Sequence, residues 1–137
     1  MRDLRLLNRI VLHHSASDNP DHDNLATIRE WHLARGFDME GYHYFIRKNG
    51  IVEIGRPVVM EGAHCYGHNK NSIGICMSGK DEFSKEQFTT CAKICINLMH
   101  AFPNLTMFLH KELAATECPN FTINDIQSRI NKILEIT

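Results

Sequence analysis

The sequence predicts an α/β fold: a single domain, residues 1–137, in which about three helices flank a central mixed sheet of about five strands. Short apolar segments of strand length alternate with longer segments whose apolar residues recur at helical spacing. An Asn49-Gly50 pair between two strand-like segments predicts a hairpin, so part of the sheet should be antiparallel. A chain of 137 residues can also bury the core of one domain without disulfides or metal ions.

The first half of the chain predicts one strand, one helix and one hairpin. The strand covers residues 9–12 and runs into the His13-His14 pair. The helix is capped by Asp23 or Asn24, ends at Gly36 and has apolar positions at Leu25, Ile28 and either Trp31 or His32. The hairpin joins residues 41–47 to residues 51–54, and these two strands should be antiparallel.

The second half predicts two strands and two helices. One strand covers residues 73–77, and another apolar segment ends at His110. Between them, Ser84 and Gln87 form a capping-box pattern that opens a helix with its apolar positions at Phe88, Cys91, Ala92, Cys95, Leu98, Met99 and Phe102. The last helix is capped by Thr122 and should bury Ile123, Ile126, Ile130 and Ile133.

The charge balance argues against nucleic acid or a membrane as partner. Lys and Arg number 15 and Asp and Glu 16, which leaves a net charge of −1 with both signs interspersed. The apolar runs near the N-terminus are too short for a signal peptide or a membrane span, so we expect synthesis in the cytoplasm. We also expect a monomer. Five cysteines, an odd number without a disulfide framework, are expected to be reduced.

His110 and Cys118 lie at the two ends of one short loop and are candidate metal ligands. Pro119 restricts the backbone of Cys118 and should hold it extended. A third ligand would come from the His13-His14 pair if its strand runs parallel to the strand that ends at His110. Two imidazoles and one thiolate suit zinc and leave a fourth position for water, as in a catalytic site.

Other interpretations of these residues remain open on spacing alone. The histidines could simply end their strands beside a buried thiol, or His14 or His43 could complete a purely structural zinc site. Cys91 and Cys95 lie one turn apart on an apolar helix face, which favours core packing. Trp31 and Met99 are also expected in the core.

Two further segments carry groups that could contact a substrate. Residues 61–72 are small, polar and glycine-containing, which predicts a surface loop that presents His64, His68, Asn69 and Asn71. Tyr42 and His43 begin a predicted strand, so their side chains should point to opposite faces of the sheet. One of them could therefore reach the metal site while the other packs or faces solvent.

The chain resembles the zinc-dependent N-acetylmuramoyl-L-alanine amidases, a family that includes amidase-type phage lysozymes and peptidoglycan recognition proteins. The resemblance covers residues 9–121, with the motifs in family order. The matching segments are Val11-Leu-His-His-Ser-Ala-Ser17, Ile28-Arg-Glu-Trp-His32, Gly41-Tyr-His-Tyr-Phe45, the Gly50 hairpin with Gly55-Arg56, Gly67-His-Asn-Lys-Asn-Ser-Ile-Gly74, His110-Lys-Glu and Cys118-Pro119. Each is weak alone, and together they are specific.

The resemblance implies a site and a substrate. It implies that His13, His110 and Cys118 bind zinc, that Tyr42 and Thr116 flank the reacting carbonyl, and that His14 is a neighbour of the site. The implied substrate is peptidoglycan, cut at the amide between N-acetylmuramic acid and L-alanine, with His64, Asn69 and Asn71 in the part that lines the substrate groove. Amidase-type phage lysozymes carry lysine where this chain has Thr116, and catalytic peptidoglycan recognition proteins carry threonine.

The expected function is therefore hydrolysis of the cell wall by an enzyme of phage or prophage origin, released through a membrane lesion. A cytosolic amidase that recycles muropeptides is one alternative, because no export signal is evident. A second is a protein that binds or senses peptidoglycan without cutting it. Cys118 argues against the second, because non-catalytic members of the family typically lack this thiolate.

Overall fold

The computed structural model describes residues 1–136 and has the α/β architecture that the sequence predicts. The five strands are β1 (Arg9–His14), β2 (Tyr44–Ile46), β3 (Val52–Ile54), β4 (Ser72–Met77) and β5 (Thr106–Leu109). Three main helices accompany them, α1 (Leu25–Ala34), α2 (Lys85–Ala101) and α4 (Ile123–Ile136), and a single helical turn, α3 (His110–Leu113), follows β5.

All five strands form one mixed sheet in the order β3-β2-β4-β1-β5. Strands β2, β4, β1 and β5 are parallel, and β3 joins β2 as the antiparallel hairpin partner predicted from Asn49-Gly50. The carboxyl ends of the parallel strands therefore meet at one edge, where open α/β sheets place their ligands.

The two faces of the sheet are covered by different helices. Ile10 and Leu12 of β1 pack with Ile75 of β4 in the main core, to which α2 and α4 contribute their apolar faces. On the opposite face, Ile28 of α1 packs with Phe45 and Cys76. Because side chains alternate along a strand, His13 points to the face of Cys76 and α1.

The helix caps follow the sequence prediction. Asn24 caps α1, with its side chain accepting from the Thr27 N–H, and Gly36 lies beyond the helix at φ 92°. Ser84 and Gln87 form the expected capping box of α2. Thr122 and Asp125 exchange side-chain to backbone hydrogen bonds of 2.8 and 3.2 Å at the start of α4.

Three expectations need correction. Trp31 is 36% exposed because Ile28 and His32, four residues apart, take the buried positions of α1. The predicted strand 41–47 forms ladder pairs only over Tyr44–Ile46. The segment 61–72 lies only partly at the surface, since His64 and Cys65 are buried within it.

The cysteines are thiols, and Cys91 and Cys95 are buried in the core as predicted. Met99 is partly buried against the same core, also as predicted. Within residues 1–136, no helix has the length and apolar character needed to cross a bilayer.

Candidate metal centre and groove

The parallel pairing of β1 with β5 brings His13 and His110 together. Leu12 pairs with Leu109 in this ladder, so His13 and His110, which follow them in the chain, reach the same sheet edge. The Nδ1 atoms of His13 and His110 are 3.1 Å apart. The sequence expectation that these two strands lie side by side is confirmed.

The chain between His110 and Cys118 folds back so that the thiol faces the two imidazoles. Lys111 lies within the helical turn α3, and its N–H donates to the Cys118 carbonyl at 2.8 Å, which closes the loop. The Thr116 hydroxyl oxygen accepts from the Cys118 N–H at 3.2 Å. The Cys118 Sγ accepts from the His14 N–H at 3.3 Å, which fixes the sulfur at the end of β1.

The three donor atoms have the spacing of a metal site. The atoms that His13, His110 and Cys118 offer lie within 4.8 Å of one another, and Cys118 Sγ is 4.0 Å from His13 Nδ1. Tetrahedral zinc bonds would separate two nitrogens by roughly 3.3 Å and a nitrogen from a sulfur by roughly 3.6 Å. The residues present therefore fit a metal ion with small adjustments.

Burial favours the neutral forms of all three side chains in this cluster. Burial lowers the pKa of His13 and His110, so both imidazoles are neutral and have a lone pair for a metal. Burial also raises the pKa of the Cys118 thiol to about 11. A metal ion would favour the thiolate, and its binding would release that proton.

Neither residue considered as a fourth ligand joins the cluster. His14 Nδ1 accepts from the Asn120 N–H at 3.3 Å, and the His14 ring stacks on Phe83. His43 Nδ1 accepts from the Gly74 N–H at 3.0 Å, and its Nε2 donates to the Met60 carbonyl at 2.8 Å. Among residues 1–136, the cluster has three protein ligands, which is the number of a catalytic zinc site.

Tyr42 and Thr116 both lie beside the cluster. The Tyr42 ring is 4.9 Å from the His13 ring, and burial raises the pKa of the phenol, which stays protonated at neutral pH. Thr116 lines the same cavity as His110 and Cys118. The His43 ring lies 5.9 Å from the His64 ring and the Tyr42 ring lies 6.4 Å from it, so the expected separation of Tyr42 and His43 onto opposite faces is not seen. Strand β2 begins only at Tyr44, so strand alternation does not direct these two side chains.

Two cavities meet at the cluster and form an open groove. One, of about 450 Å³, includes Trp31, Lys80, Thr116 and Cys118 in its lining. The other, of about 470 Å³, includes Phe37, His64, Tyr66 and Asn69. They share His32, Arg35, Tyr42 and His110. His110 is the candidate ligand that both cavities share and Cys118 lines the first, so the groove could hold an extended molecule on both sides of these two residues.

The residues expected to bind substrate are not all found together. His64 and Asn69 line the second cavity, although the Asn69 side chain accepts from the His64 and Cys65 N–H groups. Asn71 lies at the opposite end of β1, where its carbonyl accepts from the Asn8 and Arg9 N–H groups. The structure does not bring Asn71 to the metal cluster, and its assignment to substrate binding has no contact in support.

Sequence reasoning missed Trp31, Arg35 and Lys80 as groove residues. The spacing of Trp31 on α1 predicts a core position, but His32 takes that position and Trp31 is exposed. Arg35 follows α1 as its C-cap, and nothing in the local pattern marks it. The motif from Ile28 to His32 could have identified Trp31, because it places the Trp31 and His32 rings near the end of α1, where both line the first cavity.

The sequence profile of the N-acetylmuramoyl-L-alanine amidase family matches residues 3–121. This chain belongs to the N-acetylmuramoyl-L-alanine amidase family. The buried His13, His110 and Cys118 group is consistent with the metal site typical of this family.

Relatives of this amidase include phage endolysins. The endolysin of Escherichia phage T7 is 30% identical over 122 residues, which cover 83% of this chain and 81% of the endolysin. The solved amidase LysC from Clostridium intestinale is 32% identical, with a TM-score of 0.84 and coverage of 93% of this chain and 87% of LysC. This protein is therefore an endolysin-like amidase.

A third relative is a solved complex of peptidoglycan recognition proteins LCa and LCx with bound tracheal cytotoxin. It has a TM-score of 0.76 and 25% identity, and the match covers 98% of this chain and 86% of the relative. The amidase thus shares its fold with both branches of the family that its motifs resemble.

Proposed function

We propose that this amidase uses zinc to hydrolyse the amide between the lactyl group of N-acetylmuramic acid and the L-alanine of the stem peptide in peptidoglycan. The observation that carries the proposal is the cluster of His13, His110 and Cys118 at the point where the two cavities meet. A substrate lying along the groove would present one of its bonds to the cluster.

Zinc is the metal that this donor set suits best. Two imidazole nitrogens and one thiolate are borderline-soft ligands, and three protein ligands leave one position for water or substrate. When bound, zinc supplies a Lewis acid for the amide carbonyl and lowers the pKa of water to about 7.

Tyr42 and Thr116 are the groups placed to assist the reaction. The protonated phenol of Tyr42, beside His13, can donate a hydrogen bond to the carbonyl oxygen as it gains negative charge. The Thr116 oxygen accepts from the Cys118 N–H, so its own proton remains available for the substrate or for water. An oxyanion donor of this kind is commonly worth about 2.7–4 kcal/mol.

The groove offers contacts suited to a glycan linked to an anionic peptide. Trp31 and Tyr66 present exposed aromatic surface, and Arg35, shared by both cavities, offers a guanidinium that pairs well with a carboxylate. The solved relative with tracheal cytotoxin and the family assignment support a peptidoglycan or muropeptide ligand. We place the glycan and peptide on opposite sides of the metal cluster.

Lysis of the wall after release from the cytoplasm is the biological role that we favour. The similarity to phage endolysins supports it over recycling of soluble muropeptides. The two roles differ in the size of the substrate that must enter the groove. Activity on intact sacculi, compared with activity on soluble muropeptides, distinguishes them.

Mass spectrometry of the products released from purified sacculi tests the reaction. We expect peptides with a free L-alanine amino terminus and intact glycan strands. New reducing sugar ends without such peptides would identify a glycosidase. Binding to sacculi without any release would identify a peptidoglycan-binding protein instead.

A further inference from the structure

His64 is a buried histidine whose two ring nitrogens both contact the protein. Its side chain lies on the sheet face that carries His13, and the residue is 9% exposed. His64 Nδ1 is 2.8 Å from His13 Nε2. On its other side, His64 Nε2 is 3.2 Å from the Ser72 hydroxyl. Both nitrogens of the ring therefore have hydrogen-bond partners within the protein.

Hydrogen bonding allows one consistent placement of the ring protons when a metal is bound. His13 Nδ1 faces His110 and Cys118, so it must bear a lone pair toward the metal. The proton of His13 is then on Nε2 and is donated to His64 Nδ1. His64 in turn has its proton on Nε2 and donates it to Ser72 Oγ.

The surrounding backbone is built to fit the His64 ring. A Cβ at Gly74 would lie 2.7 Å from the ring, and a Cβ at Gly62 would lie 2.6 Å from it. Any larger residue at either position would therefore push the ring away from His13. The Asn69 side chain holds the loop in place by accepting from two consecutive N–H groups at 2.9 Å, those of His64 and Cys65.

The N-terminal segment ties the same loop to the sheet. The Arg2 guanidinium donates to the carbonyls of Asn69 and Ser72 at 3.1 and 2.7 Å and also to the Val58 carbonyl. These contacts link both ends of the segment that carries His64. The ring is thus fixed in position independently of anything that enters the groove.

We infer that His64 is a positioning residue that orients His13 toward the metal and fixes its tautomer through the hydrogen bond between His13 Nε2 and His64 Nδ1. The inference rests on the proposed metal-dependent function. It differs from the expectation that His64 binds substrate, because both ring nitrogens are engaged with protein groups. Partners of this kind commonly affect metal affinity by 10- to 100-fold.

A pair of amide substitutions isolates this hydrogen bond. The side-chain oxygen of asparagine can occupy the position of His64 Nδ1 and still accept from His13, whereas glutamine places its amide near Ser72 and leaves His13 without an acceptor. His64→Gln should raise the zinc dissociation constant by roughly 10- to 100-fold, and His64→Asn should raise it less. Competition with a zinc chelator measures both.

His68→Gln is the matched control, since His68 lies on the same loop and lines neither cavity of the groove. Its zinc affinity should equal that of the unaltered protein. Ser72→Ala removes only the acceptor beyond His64 and should weaken zinc binding in the same direction. If His64→Gln does not fold, the zinc dissociation constant of Ser72→Ala tests the positioning role instead: an unchanged constant would contradict it.

The outcomes separate this inference from the proposed function. Failure of the unaltered protein to bind zinc would overturn both. If zinc binds and His64→Gln keeps the original dissociation constant, the positioning role is wrong. A raised KM with unchanged zinc affinity would return His64 to substrate binding. Weaker zinc binding in His64→Gln, partly restored in His64→Asn, supports the inference.

Discussion

The hydroxyl oxygen of Thr116 accepts a hydrogen bond from the backbone N–H of Cys118 at 3.2 Å. The same side chain therefore touches the loop that carries the thiol and lines the cavity in which the substrate would lie. We propose two separable functions for Thr116: its oxygen supports the position of Cys118, and its proton acts in the groove. Related phage lysozymes would instead place a charged lysine at this position.

Thr116→Val keeps the shape of the side chain and removes the hydroxyl. If the hydroxyl assists the transition state, kcat and kcat/KM should fall together by roughly 10- to 1000-fold at saturating zinc. Steady-state kinetics on peptidoglycan fragments measure both constants.

Thr116→Ser is the matched control, because serine keeps the oxygen that accepts from Cys118 and the proton that can be donated. Its kinetics should stay close to those of the unaltered enzyme. A loss of zinc affinity in Thr116→Val as large as the loss of kcat/KM would mean that the hydroxyl only supports the loop. Unchanged activity would leave Tyr42 as the remaining non-metal candidate.

Cys118→Ser tests the thiolate ligand directly. A serine hydroxyl is a harder and far less acidic donor than a thiol, so the variant should retain much less than the expected one zinc per chain and should lose amidase activity. Elemental analysis of the purified protein measures the zinc. Cys91→Ala, in the core, should keep its zinc, and full zinc with full activity in Cys118→Ser would remove Cys118 from the ligand set.

The candidate metal ligands were predictable from sequence because they depend on order along the chain. His13 and His110 each end an apolar segment, and parallel pairing of those segments is enough to join them. β1 and β5 are direct neighbours in the sheet, and β4 pairs with the other edge of β1, but no single segment specifies that order. The resemblance to a known family added the choice of His13 over His14.

The groove was less predictable because it depends on which residue of a helical repeat is buried. Spacing allowed either Trp31 or His32 on the inner face of α1, and packing against Tyr42 selected His32. Loop 61–72 looked polar and therefore exposed, but three partners, His13, Ser72 and the Gly74 backbone, enclose the ring of His64. These contacts come from strands distant in sequence, so the composition of the loop alone does not predict that His64 is buried.

Arg35 is the charged residue common to both cavities, and its removal should weaken substrate binding. Because the side chain is exposed, we expect Arg35→Ala to raise KM by roughly 3- to 10-fold, which corresponds to about 0.7–1.4 kcal/mol, with kcat unchanged. Arg29→Ala, on the preceding helix α1, is the control, because Arg29 lines neither cavity. Equal effects of the two substitutions would argue against a contact between Arg35 and substrate.

His43 should make the folded protein sensitive to mild acid. The residue is fully buried, with Nδ1 accepting from the Gly74 N–H and Nε2 donating to the Met60 carbonyl. Burial lowers its pKa from 6.5 to about 4, and the positive charges of Arg2 and Arg56 act in the same direction, while the Met60 carbonyl opposes them. His64 is the other titratable ring packed against it.

The sign of the effect follows from which state takes up the proton first. Between pH 6.5 and about 4 the unfolded chain protonates this histidine and the folded protein does not, so the free energy of unfolding falls as the pH falls. A difference of about 2.5 pKa units corresponds to about 3 kcal/mol, lost across this window and not further below it. Urea unfolding at a series of pH values measures the slope of the free energy of unfolding against pH.

His43→Gln keeps the donor to the Met60 carbonyl but cannot titrate, so its slope should be shallower. His100→Gln, on the exposed side of α2, should have the same slope as the unaltered protein. Parallel slopes for His43→Gln and the unaltered protein, measured at the same zinc concentration, would assign the acid sensitivity to other groups.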